Sequence, residues 1–265
     1  MRTVAVVLAG GSGVRLGGGT PKQLRLLAGR TLVEHCVAAF EAAPGVDEIV
    51  VVMPAELVGE AERILAGRYG KLSHVIAGGT DRPGSTSRAI DLLSRRGENC
   101  NVLFHDAARP LVDQRIIADC VAGLTDWEAL GVVVPTTDTI AHLSDGVMTS
   151  IPPRESLGRC QTPQGFRLSI IRRAYQLAAA DPDAATFTAT DDCGIVLRYL
   201  PEVEVAVVAG SERNLKITYP SDLRIAEAAL CETAAAENGA DEAAAAQTSA
   251  DETAPGEPGA GGPAE

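Results

Sequence analysis

This sequence predicts an α/β fold built on a doubly wound, mainly parallel sheet, and three features carry the prediction. Apolar runs of strand length alternate with helical patterns along most of its 265 residues. Those runs are apolar on both faces, as strands covered by helices on each side must be. The first of them breaks directly into a glycine-rich loop, and in doubly wound sheets the loops after the strands hold the ligand.

The elements follow in order. Val4–Leu8 is the first strand-like run, followed by a helical stretch over Leu32–Ala42, a strand over Glu48–Met53 and a helix over Glu56–Ala66. His74–Ala77, Ser85–Ser94, Asn101–His105, Gln114–Leu124 and Leu130–Pro135 continue as strand, helix, strand, helix and strand. A helix over Leu168–Ala180 and a strand over Val203–Val208 complete the alternation. Spacing of this kind implies right-handed crossovers between parallel strands. Residues 135–153 break the rhythm. Two β-prone runs there, 136–142 and 147–151, flank Ser144-Asp145-Gly146, and Asp-Gly between such runs signals a hairpin. A hairpin projecting from a parallel sheet needs a cover, so it is expected to be an arm that packs on a second subunit.

The loop after the first strand reads Ala9-Gly10-Gly11-Ser12-Gly13-Val14-Arg15-Leu16-Gly17, then Thr20-Pro21-Lys22-Gln23. Its glycines let backbone N–H groups approach a ligand without interference from Cβ, and such a loop forms an anion nest. Arg15 and Lys22 would neutralise a polyphosphate held there. The pattern lacks the Gly-Lys-Ser/Thr of a Walker A loop and the third glycine of a dinucleotide fingerprint. It points to a nucleoside triphosphate whose phosphates take part in the chemistry.

Further candidates leave the later strands. His105-Asp106-Ala107-Ala108-Arg109-Pro110 would aim Asp106 and Arg109 into the same crevice. Asp106 suits a substrate hydroxyl or Mg²⁺ near the phosphates, and Arg109 suits a phosphate or Asp106 itself. Gly78-Gly79-Thr80-Asp81-Arg82-Pro83-Gly84-Ser85 suits backbone recognition of a nucleobase edge, with Ser85 either a helix cap or a base contact. Arg154 precedes Gln161-Thr162-Pro163-Gln164, and Thr190-Asp191-Asp192 opens a helix. Lys216, within Arg213–Thr218, is a further cation able to reach back to the phosphates.

Composition limits the alternatives. The formal net charge is −12, but residues 232–265 hold eight acids and no bases; without them 27 acids face 23 bases, a net charge of −4. The acidity therefore belongs mostly to the end of the chain, and the body gives no charge-based case for nucleic acid binding. Residues 1–231 are expected to form one domain and 232–265 a disordered acidic tail that buries too little apolar area to order itself. No apolar stretch is long enough to span a membrane. The six cysteines show neither CxxC pairs nor metal-ligand spacing, and the four histidines show none either, so reduced thiols in a cytoplasmic protein are expected.

Leu8–Leu16, Pro21-Lys22-Gln23, His105–Pro110, Asp138-Thr139, Gln161–Gln164, Thr190-Asp191 and Asn214–Thr218 occur in this order. Over about residues 4–230 the set resembles the cytidylyltransferase family that includes the 2-C-methyl-D-erythritol 4-phosphate and D-ribitol-5-phosphate enzymes. The resemblance implies a Rossmann-like, glycosyltransferase-A-like nucleotidyltransferase fold with a projecting β-arm. It also implies transfer of CMP from CTP to a polyol phosphate with release of pyrophosphate, dependent on Mg²⁺ or another divalent cation, by a homodimer with interlocked arms. Arg15, Lys22 and Lys216 would take the catalytic role on the triphosphate. Ala9, Gly10, Gly11, Gly13, Gly79, Asp81 and Ser85 would hold the cytidine and its phosphates. Asp106, Thr139 and Arg154, together with Arg109, would hold the polyol phosphate, and Asp106 is also the expected contact for the metal.

Two details set this chain apart within that family. Ala9-Gly10-Gly11 stands where methylerythritol enzymes usually have Ala-Ala-Gly, and Ala141 stands where they usually have a lysine. Both lean towards a ribitol-type acceptor, while methylerythritol transfer is the family's commonest activity, so the acceptor stays open between the two. A molybdenum-cofactor-type guanylyltransferase also opens with Leu-Ala-Gly-Gly, Arg and Lys, but it lacks the His-Asp-Ala-Ala-Arg-Pro and Gln-Thr-Pro-Gln pair. A non-enzymatic nucleotide-binding module would need neither Lys22 nor Lys216 for turnover.

Overall fold

A computed structural model describes residues 1–11, 16, 19–97, 99–183 and 190–233. In chain order the elements are β1 (Thr3–Leu8), β2 (Leu26–Leu27), β3 (Arg30–Thr31), α1 (Leu32–Ala42), β4 (Glu48–Met53), α2 (Val58–Leu65), β5 (Leu72–Ala77), α3 (Arg82–Ser94), β6 (Asn101–Asp106), α4 (Gln114–Asp126) and β7 (Ala129–Pro135). They continue with β8 (His142–Ser144), β9 (Val147–Ser150), β10 (Gly158–Arg167), α5 (Leu168–Ala180), α6 (Asp192–Tyr199) and β11 (Val205–Ala209). Residues 220–233 form a further helix, α7.

Seven strands make the main sheet, in the order β11-β7-β10-β6-β1-β4-β5. Alternation along β1 divides its side chains between two cores. Ala5 and Val7 join Val33, Val37 and Phe40 of α1 and Ile116 and Cys120 of α4 on one face. Val4, Val6 and Leu8 join Ile90 and Leu93 of α3, Ile171 of α5 and Val196 of α6 on the other. The runs are continuously apolar because both faces are dry. At α1, Thr31 and Glu34 form a reciprocal capping box, which fixes where the helix begins.

The expected doubly wound sheet is present with one addition. β10 lies between β6 and β7 and runs antiparallel to both, whereas the sequence reading treated 161–166 only as a motif. This strand carries two glycines and a proline, residues depleted in strands. It is held by its neighbours, and its register shifts between Gln161 and Gln164.

Register sets up the site. Leu8 of β1 lies level with Val52 of β4 and with Asp106 of β6, and Met53 lies level with Ala77 of β5. Four strands thus release their chains at one edge.

The hairpin is β8–β9. Asp145 and Gly146 both have positive φ, 51° and 79°, as a type I′ turn requires. It exposes Leu143, Val147 and Met148. Among the described residues no helix is long and apolar enough to cross a membrane. Residues 234–265 of the expected tail lie outside the described residues.

Candidate active site

A cavity of about 440 Å³ opens at the edge where β1, β4, β5 and β6 end. It is lined by Ala9, Gly10 and Gly11 of the first loop, by Lys22 and Gln23, by Thr80–Arg82 and Ser85, by Asp106–Ala108, and by Lys216 and Thr218. Five segments spread over about two hundred residues therefore face one space. Arg15 and Gly13, expected here from the sequence, lie outside the described residues.

Asp106 is the pivot of the cavity's charge. Its Oδ2 accepts from Lys216 Nζ at 2.7 Å and its Oδ1 from Arg82 Nε at 3.1 Å. Burial alone would raise the carboxyl's pKa, but Arg82 and then Lys216 outweigh it and hold the group well below the usual carboxylate range. Arg82 also places Nη1 2.9 Å from Oδ2 of the fully buried Asp192. Asp192 in turn accepts at Oδ1 from the Tyr175 hydroxyl at 2.6 Å.

Arg109 takes a different course from the one its sequence position implies. It was expected on a phosphate or on Asp106, yet it does not line the cavity; Arg82 and Lys216 occupy Asp106 instead. The Arg109 amide closes the turn onto the Asp106 carbonyl at 2.9 Å. Its guanidinium is buried and donates to the carbonyls of Asn214 at 2.8 Å and Cys160 at 3.2 Å. Arg109 is therefore a strap that ties the Lys216 loop to β10.

The Gln-Thr-Pro-Gln segment is the matching clamp. Thr162 Oγ1 accepts from the Asp106 amide at 3.0 Å and pairs with His105 Nδ1 at 3.0 Å, while His105 Nε2 faces the Arg109 carbonyl at 3.0 Å. One consistent proton arrangement serves all three bonds, with the Thr162 hydroxyl donating to Nδ1 and Nε2–H donating to the carbonyl. Burial lowers the His105 pKa to about 4, which keeps this ring neutral. Asn214 Nδ2 donates to Gln161 Oε1 and to the Thr162 carbonyl, and the Ile217 amide donates to the Ala108 carbonyl. Lys216 is thus anchored on both sides. Gln164 Oε1 accepts the amides of Asp192 and Cys193, which fixes the start of α6.

The far wall is backbone and glycine. The N-cap of α3 is Asp81, whose Oδ1 accepts the Gly84 amide at 2.7 Å; Ser85 instead donates its hydroxyl to the Asp81 carbonyl at 2.9 Å. A Cβ on Gly78 would fall 2.6 Å from Ser85 Oγ, and one on Gly79 2.6 Å from the Gly84 backbone. Gly79 therefore lets the loop touch α3 backbone to backbone and does not itself line the cavity. The N-terminus of α3 points into the space, which favours an anion there.

Thr139 and Arg154 sit at the base of the arm, exposed and hydrogen-bonded to each other at 3.2 Å, and neither lines this cavity. Among the described residues no cluster of three or more His, Cys, Asp or Glu could hold a metal. Asp106, the expected metal contact, has each carboxylate oxygen engaged by a cation.

A doubly wound sheet with a glycine loop, two lysines and a helix N-terminus around one crevice defines a nucleotidyltransferase. The family model of 2-C-methyl-D-erythritol 4-phosphate cytidylyltransferase matches residues 3–232. The chain belongs to that family, and its activity is CTP-dependent cytidylyl transfer to a polyol phosphate. It is 52% identical to the 2-C-methyl-D-erythritol 4-phosphate cytidylyltransferase of Thermobifida fusca, over 86% of this chain and 93% of that one. It is 38% identical to the bifunctional ribulose 5-phosphate reductase/CDP-ribitol pyrophosphorylase of Haemophilus influenzae, covering 85% of this chain but only 48% of that larger protein. The crystal structure of 4-diphosphocytidyl-2C-methyl-D-erythritol synthase from Anaerococcus prevotii superposes with a TM-score of 0.74 at 26% identity, over 86% of this chain and 98% of that one.

Proposed function

We propose that the acceptor is 2-C-methyl-D-erythritol 4-phosphate, so that the product serves isoprenoid-precursor synthesis. The 52% identity to the Thermobifida fusca enzyme across nearly the whole domain carries this reading. Ribitol 5-phosphate is the second reading, favoured by Ala9-Gly10-Gly11, by Ala141 and by the Haemophilus influenzae relative.

The chemistry asks little of a general base, because the acceptor phosphate is already an anion. One of its oxygens attacks the α-phosphorus of CTP. The bond from that phosphorus to the α–β bridging oxygen breaks, and the electron pair leaves with pyrophosphate. Lys22 and Lys216, with Arg15 from the first loop, offset the charge that develops on the phosphoryl group and the leaving group. The glycine-loop amides hold the triphosphate, Ser85 and the neighbouring backbone hold the base, and Asp106 orients the acceptor.

Mg²⁺ would arrive with the triphosphate and neutralise part of its charge. Such an ion takes one or two carboxylates and fills its shell with phosphate oxygens and water, so the triphosphate would supply most of its ligands while Arg82 and Lys216 hold both oxygens of Asp106. Asp106 is the carboxylate that would approach it, and to do so it would exchange one of those two cations for the metal.

Thr139 and Arg154 would reach the acceptor of a partner subunit, in a homodimer joined through β8–β9. The exposed Leu143, Val147 and Met148 support an arm that is covered in the assembly. Cysteines used as buried core residues, at positions 36, 100, 120 and 193, support a reducing, cytoplasmic setting. The catalytic domain in this reading runs to residue 233, because α7 continues past the expected boundary at 231 and Arg213 bonds Thr233 near its end.

A pyrophosphate-release panel tests the proposal. It crosses CTP, UTP, ATP and GTP with methylerythritol 4-phosphate, ribitol 5-phosphate and related polyol phosphates. Higher kcat/KM with ribitol 5-phosphate would reverse the acceptor assignment.

A further inference from the structure

Five side chains form an unbroken path from the hidden face of the sheet to the cavity. Tyr175 of α5 donates to Asp192 at 2.6 Å, Asp192 lies 2.9 Å from Arg82, and Arg82 donates to Asp106 at 3.1 Å. Asp106 then accepts from Lys216 at 2.7 Å. From the cavity inward, the path starts at an accessible side chain and ends among buried ones. The Lys216 side chain is 45% exposed, Arg82 22%, Asp106 11% and Asp192 0%.

This geometry has a physical cost that asks for a use. A carboxylate with no solvent exposure is expensive to bury, and apolar replacements of such a pair are often equally stable. Stability alone therefore gives little reason to keep Asp192 there. What the pair supplies is direction. Lys216 ends a flexible four-carbon chain, and a lone ammonium on such a stem has no fixed position. Asp106 fixes it, and Asp106 is itself held by a guanidinium whose planar fork meets two carboxylates, one on each side. The fork is locked from behind by Tyr175 and Asp192.

We propose that Arg82, backed by Asp192 and Tyr175, is a positioning residue that sets the Asp106 carboxylate and through it aims Lys216 at the α-phosphate. Sequence order hides the arrangement, since Arg82 stands in the base-recognition loop and Tyr175 on a distant helix. The inference rests on Lys216 acting in cytidylyl transfer.

The test is a double-mutant cycle on the full chain, read as pyrophosphate release from CTP and methylerythritol 4-phosphate or ribitol 5-phosphate, whichever the wild type uses. Tyr175→Phe removes one hydroxyl remote from substrate. It should lower kcat by about 5- to 50-fold, within the range that a small misplacement of a catalytic group costs. The KM for CTP should stay within about twofold, because the triphosphate is held by the first loop and Lys22. In a Lys216→Ala background the same substitution should change kcat by less than about twofold, since groups acting as one unit are not additive.

Arg82→Lys keeps the charge and loses the fork. It should lower kcat at least as far as Tyr175→Phe, and its effect should likewise vanish with Lys216 gone. If Tyr175→Phe does not fold, the Arg82→Lys cycle decides alone. Wild-type kcat in Tyr175→Phe or in Arg82→Lys, or effects that multiply with Lys216→Ala, would overturn the proposal. A wild type inactive on every polyol phosphate would instead count against the transfer reading itself.

Discussion

Lys216 and Asp106 stand 110 residues apart in the chain and 2.7 Å apart in the fold. The contact joins the loop after the last sheet strand to the carboxyl end of β6, and it puts an ammonium beside a carboxylate at the mouth of the cavity. Lys22 faces the same space from the first loop.

Lys22→Ala and Lys216→Ala should each lower turnover by at least about 10²-fold, the loss typical when one preorganised donor to a developing charge is removed. Circular dichroism should show both variants folded, since neither lysine lies in a core. Near-normal kcat in either would remove that lysine from catalysis.

CTP should be strongly preferred over UTP, ATP and GTP. A base site made of fixed backbone groups and the Ser85 hydroxyl leaves donors and acceptors unpaired against a wrong base. Comparable kcat/KM for UTP would contradict this.

Replacing Arg109 should act through the strap and not through a substrate. Arg109→Met keeps the bulk and strands two buried carbonyls, at roughly 1–3 kcal/mol for each unsatisfied group. Urea unfolding should register the loss. Activity should fall as well, because the Lys216 loop is released.

Stability should decline on mild acidification partly through His105. Its folded pKa of about 4 lies below the ordinary 6.5, so the unfolded chain binds the proton first. The contribution is therefore complete above pH 6.5 and is lost as pH falls towards 4. Its full size is about 3 kcal/mol. The ring faces Asp106, whose charge opposes the shift, and Arg109, whose charge supports it. His105→Gln should be less stable at pH 7.5, yet lose less stability than the wild type between pH 7.5 and 4.5.

Arg154→Ala should raise the KM for the polyol phosphate far more than the KM for CTP, because it removes a charge-assisted contact to one substrate. Mixed with Lys22→Ala subunits, it should regain part of the activity, since a heterodimer holds one site with both residues intact. No rescue, in subunits shown to exchange, would assign each site to a single chain.

The strands and helices of this fold were largely legible because their signal is local. β4, α1 and α5 match the apolar pattern residue for residue. β10 was not legible, since its burial is made by polar bonds to partners far away in sequence. The arginines show the same limit. His105-Asp106-Ala107-Ala108-Arg109 puts an arginine beside the key carboxylate in the chain, but the tight turn between them sends its side chain beneath the loop. Arg82 arrives from the first turn of α3 and takes the place. Spacing in sequence finds which loops converge, but it does not find which cation reaches which oxygen.

The late position of β10 also gives the site an order of assembly during translation. By residue 157 the growing chain already holds the glycine loop, Lys22, Arg82 and Asp106, yet β6 still presents an unpaired edge. Residues 158–167 cover that edge and bring Thr162 to the Asp106 amide. Lys216 follows some fifty residues later. A polypeptide cut short before that point has nearly every pocket residue but lacks Lys216 and its pair with Asp106. The loop that carries Lys216 is the last part of the site to be made.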